Sequence, residues 1–299
     1  MSTERLRGTQ SVVGQMGWVF TRPSLTALEV AWRWLFGAPL LAVCWIQAQN
    51  LLAALPPEST GLNSLDPSNP WISSIKLAAA WDMYRPHVTA LLQWIAPIAA
   101  AAWIVLSSFG RNLLIKRMEP GVRFRPFALI VLQSAWLAVL ALTGWAWCRS
   151  VGWAAATHIG TGDEPDLVGY MMWVIFLSLG FFTLWALVSW VVTIAPMLVL
   201  LEGCSPAAAL ARSFRLGKPF TSKLVEINLV MGIVKLALLV LAMVFSSVLL
   251  PFSQEVGAGA LHLEWVVVSV FYFIVSDYFQ VVRLKGFIEF WRLFRSPSQ

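Results

Sequence analysis

The chain has 299 residues, 59% of them hydrophobic and only 12% charged, with a net charge of +6 and a mean hydropathy of +0.73. A soluble domain carries about 25% charged residues, so composition excludes a water-soluble globule. With it goes the groove-reading domain of a basic nucleic-acid binder, and no nucleic-acid partner is expected. Several uncharged runs reach about 20 residues, enough to cross roughly 30 Å of hydrocarbon, and none alternates in the manner of a membrane β-barrel. The expected fold is all-α: a polytopic transmembrane helical bundle of about six spans, each helix satisfying its own backbone groups, with short amphipathic helices on the cytoplasmic surface. Three parts follow: a cytoplasmic N-terminal segment with an interfacial helix over 1–33, a six-helix transmembrane domain over 34–282, and a cytoplasmic amphipathic tail over 283–299.

In chain order, the first 22 residues are polar and carry Arg5, Arg7 and Arg22. Thr26-Ala27-Leu28-Glu29 reads as a capping box, so a helix is predicted from near Ser24, lying in the interface. Gly37 and Pro39 then allow a bend into span 1, over 34–55. Cys44 follows an apolar run, but that run starts too far from the N-terminus for a signal peptide, and span 1 is read as an uncleaved anchor. A Pro-, Ser- and Asp-rich loop over 55–71 precedes a short surface helix predicted over 75–84.

Span 2 covers 87–109 and is followed by Arg111, Lys116, Arg117, Arg123 and Arg125; span 3 covers 126–147. Span 4 begins near Leu167, and its uncharged run continues to Leu201. One long helix kinked at Pro196 fits this run better than two spans, because two would carry the next basic loop to the acidic side. Span 5 covers 224–250 and span 6 covers 263–282. The tail continues span 6 with Phe287, Ile288, Trp291 and Phe294 on one face, predicted to lie on the inner membrane surface.

Orientation follows from the basic residues, because positive loops stay in the cytoplasm. Arg and Lys cluster before span 1, after span 2, after span 4 and after span 6. The remaining loops carry only Lys76, Arg85 and Arg149, amid most of the acids. Both termini are therefore expected on the cytoplasmic side.

Between spans 4 and 5, Ser205-Pro206 is a helix start and Gly217 a plausible end. Ala207, Leu210, Ala211 and Phe214 form an apolar stripe beside Arg212, Arg215 and Lys218. This is a short amphipathic helix, read either as an ordinary positive loop or as a surface for anionic lipid headgroups or a membrane-protein partner.

Lys235 in span 5 and Asp277 in span 6 are charges at membrane depth, where charge is costly and usually faces a partner or a water-filled cavity. They are expected to pair, directly or through water, as a tie between helices or as a proton or ion relay. Gln47, Gln49 and Asn50 in span 1, Gln93, Gln133 and Asn228 are read as interhelical hydrogen-bond contacts or as a polar path. His87, His158 and His262 come from separate loops without ligand spacing, and the three cysteines form no paired set. No metal, cofactor or catalytic constellation is expected: the chain lacks a phosphate-binding glycine loop, a His-Glu zinc helix and a nucleophile elbow.

Pro196, Glu202-Gly203, Ser205, Ala209-Leu210, Arg212-Ser213-Phe214 and Leu216 together resemble a pattern in bacterial multi-span membrane proteins. These include the membrane domain that accompanies some glycerophosphoryl diester phosphodiesterases. The resemblance covers about 20 residues of one loop region, a small part of a six-helix architecture of this size. It implies a bacterial cytoplasmic (inner) membrane and six helices. It carries over no catalytic activity, since the phosphodiesterase domain itself has no counterpart here. The resulting expectation is a non-enzymatic subunit, scaffold or assembly factor that interacts with lipids or other membrane proteins; the alternative is a small-molecule or ion transporter.

Overall fold

A computed structural model describes residues 8–64, 70–158, 166–215, 218–247 and 258–295. Among them the chain is all-helical, without a strand: α1 (Gly8–Phe20), α2 (Pro23–Ala54), α3 (Pro57–Thr60), a 3-10 turn at Leu62–Ser64, α4 (Pro70–Met118), α5 (Pro126–His158), α6 (Leu167–Glu202), α7 (Pro206–Phe214), α8 (Lys218–Ser247) and α9 (Ala258–Arg295). Five helices, α2, α4, α5, α6 and α9, are long and apolar enough to cross a membrane. Of the sixth long helix, α8, an apolar stretch over Val230–Val244 lies within the described residues.

The uncharged run after Leu167 is one 36-residue helix that continues through Pro196, as its length and the charge of the next loop required. Three expectations fail. The entry segment and span 1 are a single helix, α2, which runs on through Gly37 and Pro39. It starts at Pro23, so Thr26 lies inside the first turns and cannot be an N-cap; proline suits the first helical position because its missing N–H has no intrahelical partner there. The surface helix predicted over 75–84 is the beginning of α4, a 49-residue helix that includes Pro86 and Pro97. The N-terminal polar segment contains α1, concealed in the sequence by three glycines.

The chain divides into two compact units: residues 1–30 with 108–299, and residues 31–107. In the smaller unit, Trp103 of α4 meets Phe36 edge-on at 5.1 Å and Trp32 at 5.7 Å between centroids. The Tyr84 hydroxyl donates to the Leu55 carbonyl at 2.8 Å, and the Lys76 ammonium to the Ser64 carbonyl at 2.9 Å. These bonds tie the start of α4 to the end of α2 and the turn beyond it.

In the larger unit α5 pairs with α6, α8 with α9, and α1 lies along α9. Its core is confined to one end of the long helices. It is built from Val19, Leu25, Leu114, Ile115, Leu129, Leu132, the stretch Ile194–Leu200, Ala209, Val281, Val282, Phe287 and Ile288. Away from that end the same helices expose large apolar side chains, among them Met172, Ile175, Phe176, Leu179 and Phe182 along one face of α6, while Val174, Leu177, Ser178 and Phe181 on its other face are half-buried. A helix that is apolar all round must meet either protein or lipid. In hydrocarbon no hydrophobic force drives helices together, so such stretches need no packed partner, whereas chain near water does.

Candidate functional site

The packed end of the larger unit is also its basic end, and its geometry starts from the turn after α6. Gly203 adopts φ +68° and closes the helix by donating its N–H to the Val199 carbonyl. That left-handed conformation favours glycine, which has no Cβ to collide. Arg125, at the start of α5, donates to the Gly203 carbonyl at 2.6 Å. The hydroxyl of Ser205 caps α7 by accepting from the Ala208 N–H at 3.3 Å, and Pro206 follows in the first turn. This is the helix start read from the sequence; the end expected at Gly217 lies outside the described residues.

α7 turns Ala209 and Ser213 inward and leaves Ala207, Ala211, Phe214 and Arg215 exposed, with Phe214 67% exposed. Arg212 is not a free headgroup ligand: its guanidinium pairs with Glu202. The other oxygen of Glu202 accepts from the Trp291 indole at 3.3 Å. One carboxylate thus joins the end of α6, α7 and the last turns of α9. Beside it, burial pushes the Cys204 thiol up from its ordinary value, with the Glu202 charge adding to the effect. The Lys218 side chain lies outside the described residues.

The tail of α9 departs from the surface reading. Phe287 and Ile288 are 2% and 0% exposed within the core, so these two meet protein instead of lipid; the Phe294 side chain lies outside the described residues. Arg292 pairs with Glu119 at the end of α4. On another side the tail docks α1: the Tyr278 hydroxyl donates to the Met16 carbonyl at 2.8 Å, and the Gln15 amide donates to Glu289 at 3.3 Å. Glu289 also pairs with the buried Lys285 at 3.1 Å, whose ammonium stands 4.3 Å from the Trp18 ring centroid. Gly286 makes room for this contact, since a Cβ there would stand 2.7 Å from Gln15 Oε1. The sequence signal for α1 was the stripe Val12, Met16 and Val19, spaced i, i+4, i+7.

Of the two charges expected at membrane depth, Lys235 meets a residue of α9. The half-buried Lys235 donates to Gln280 Oε1 at 3.5 Å. Asp277, 4% exposed, and Gln280, 5% exposed, stand one turn apart on α9. Of the amides, Gln133 is buried, Gln47 half-buried, and Asn50 and Gln93 exposed; none of these four bonds to a neighbouring helix among the described residues. The Asn228 side chain lies outside the described residues. A groove of the smaller unit is lined by Phe36, Pro39, Trp94 and Ile98, and one of the larger unit by Leu238, Leu241, Phe271 and Tyr272. Both are apolar, and none of the amides or intramembrane charges lines either.

At the opposite end of the α5–α6 pair, Asp166 caps α6 by accepting from the Gly169 N–H at 2.9 Å, and its other oxygen stands 3.1 Å from His158 Nδ1. The Gly169 hydrogen bond, then the His158 bond, hold the Asp166 carboxyl below its ordinary value. Gly169 permits the arrangement, because a side chain there would collide with the carboxylate.

No family model, no curated protein and no solved structure matches the chain.

Proposed function

We propose that this chain is a non-enzymatic integral membrane protein: a six-span subunit, scaffold or assembly factor of a bacterial cytoplasmic membrane, with both termini in the cytoplasm. α8 is then the sixth span, crossing with Lys235 turned toward Gln280 and Asp277. The observation that supports this reading is the concentration of the core at the basic end, where α1, α7 and the tail of α9 lock the helix ends into one platform. A rigid, cation-rimmed platform above helices that are free to meet lipid or other helices suits a component that holds another membrane protein in place.

The test is extraction of the tagged chain from its own membranes directly into native nanodiscs, with mass spectrometry of what accompanies it. The reading expects a stoichiometric membrane-protein partner. A chain that emerges alone, with a small molecule held tightly instead, overturns it.

A transporter is the second reading, favoured by the burial of Asp277 beside Gln280 and Lys235. It requires a water-accessible path at mid-depth. In a background with Cys44, Cys148 and Cys204 replaced by serine, cysteines at positions 133 and 280 react with water-soluble thiol reagents if that path exists; they stay unlabelled if packing seals it. The pairing of Lys235 with Asp277 belongs to either reading. K235A and D277A should each destabilise the chain, and the double variant should recover part of the loss; strictly additive losses sink the pairing.

A further inference from the structure

At the basic end of the larger unit the described acids are engaged within the protein. Glu119 is paired with Arg292, Glu202 with Arg212 and Trp291, and Glu289 with Lys285, while Glu29 is 1% exposed. The cations are not all engaged. Arg117, Arg123 and Arg215 are exposed and have no ion-pair partner among the described residues. Among the described residues, the surface they leave is therefore cationic.

Two exposed phenyl rings are near neighbours of these cations in the sequence. Phe127, at the start of α5, is 78% exposed, and Phe214, next to Arg215, is 67% exposed. A phenyl ring held that far out of the protein is costly in water, and its neighbouring guanidinium is costly in hydrocarbon. The boundary between acyl chains and phosphates satisfies both, with the ring in the first and the cation at the second. Chain that simply faced water would account for the arginines but not for the rings.

We propose that Arg117, Arg123 and Arg215, with Phe127 and Phe214, hold the phosphate headgroups of anionic phospholipids, so that the protein carries a shell enriched in those lipids at its basic end. The inference rests on the membrane-spanning reading above but not on the existence of a protein partner. A protein that covers this surface in place of lipid is an outcome of the test.

The experiment uses the full chain, reconstituted in vesicles of phosphatidylcholine with a minority of phosphatidylglycerol, re-extracted in mild detergent, with the retained lipids quantified. The unmutated chain should retain phosphatidylglycerol enriched at least about fivefold over the vesicle, the effect of one basic residue at an anionic surface. R117Q/R123Q/R215Q should bring the ratio back to that of the vesicle; R117K/R123K/R215K should keep most of the enrichment. Neutralising Lys76, Arg85 and Arg149, which lie outside this cluster, should leave it unchanged. The proposal is overturned by an unenriched wild-type chain, by a glutamine variant that stays enriched, or by an equal loss in the Lys76, Arg85 and Arg149 variant.

Should the glutamine variant fail to fold, the unmutated chain still decides. Its enrichment must collapse as salt shortens the screening length to about 3 Å, and enrichment that survives high salt overturns the proposal. A chain that captures a stoichiometric protein partner from its own membranes yet shows no lipid enrichment leaves the scaffold reading standing and removes this inference alone.

Discussion

The two ends of α6 are equally apolar and live in different surroundings. Over its first half Met172, Ile175, Phe176, Leu179 and Phe182 are each more than half exposed; over its last turns Val191, Ile194, Ala195, Leu198, Val199 and Leu200 are each at most 5% exposed. α9 repeats the contrast, with Val266, Val267 and Phe271 exposed and Val281, Val282 and Ile288 buried. Hydrophobicity therefore does not decide which part of a membrane helix is packed. On the membrane-spanning reading, proximity to water does: apolar groups gain nothing by leaving lipid for protein, but at a bilayer surface they must be covered, and polar groups can lock the cover in place.

The largest break in that comparison should come from truncating matched apolar side chains at the two ends. I288A, at a site with no exposure, should cost about 2–5 kcal/mol through lost contacts and the cavity left behind. L179A, at a site 63% exposed, should stay within about 0.5 kcal/mol. Thermal unfolding of the purified chain in detergent reads both, and similar losses would erase the distinction between the ends. Next in size is G286A, whose methyl displaces only the far end of the Gln15 side chain and should cost no more than about 1 kcal/mol once the gain in helix propensity is counted; protease sensitivity of α1 checks it. E202Q keeps an acceptor for the Trp291 indole but loses the charge that faces the half-exposed Arg212. Its loss should be no more than about 1 kcal/mol, and it should shrink at high salt.

The smallest effect lies at the opposite end. The Asp166 carboxyl is held below its ordinary value by the Gly169 N–H and by His158, so its ionised form is favoured by folding. That contribution is fully present above the unfolded value of about 3.9 and is lost as pH falls through the lower folded value. D166N, which preserves a capping oxygen, should flatten this acid limb of the unfolding profile, and D166A should lower stability at neutral pH as well.

Much of the fold was legible because charge and length constrain membrane helices so tightly. The single helix through Pro196 followed from the sign of the loop after it, and the α7 start followed from Ser205-Pro206. The rest was hidden for physical reasons. Proline is a poor stop signal in α4, which continues through Pro86 and Pro97, since a long helix can carry the lost hydrogen bond. Glycines diluted the stripe of α1. The apolar face of the tail was visible, but a stripe does not say whether lipid or protein will cover it, and Phe287 and Ile288 are covered by protein. The site was half legible for a similar reason. Arg212 and Arg215 look alike in sequence, and only the fold reveals that Glu202 engages the first while the second stays exposed.

The central claim is that the packed end and the lipid-facing stretch are different environments along one helix. Nitroxide labels placed singly along α6, at positions 172, 175, 176, 179 and 182 and at 194, 197 and 198, test it in liposomes that contain the chain alone. The account predicts mobile labels accessible to dissolved oxygen at the first five positions, and immobile, oxygen-shielded labels at the last three. Immobile, oxygen-shielded labels at 172, 175, 176, 179 and 182, the signature of a packed face there, would contradict it.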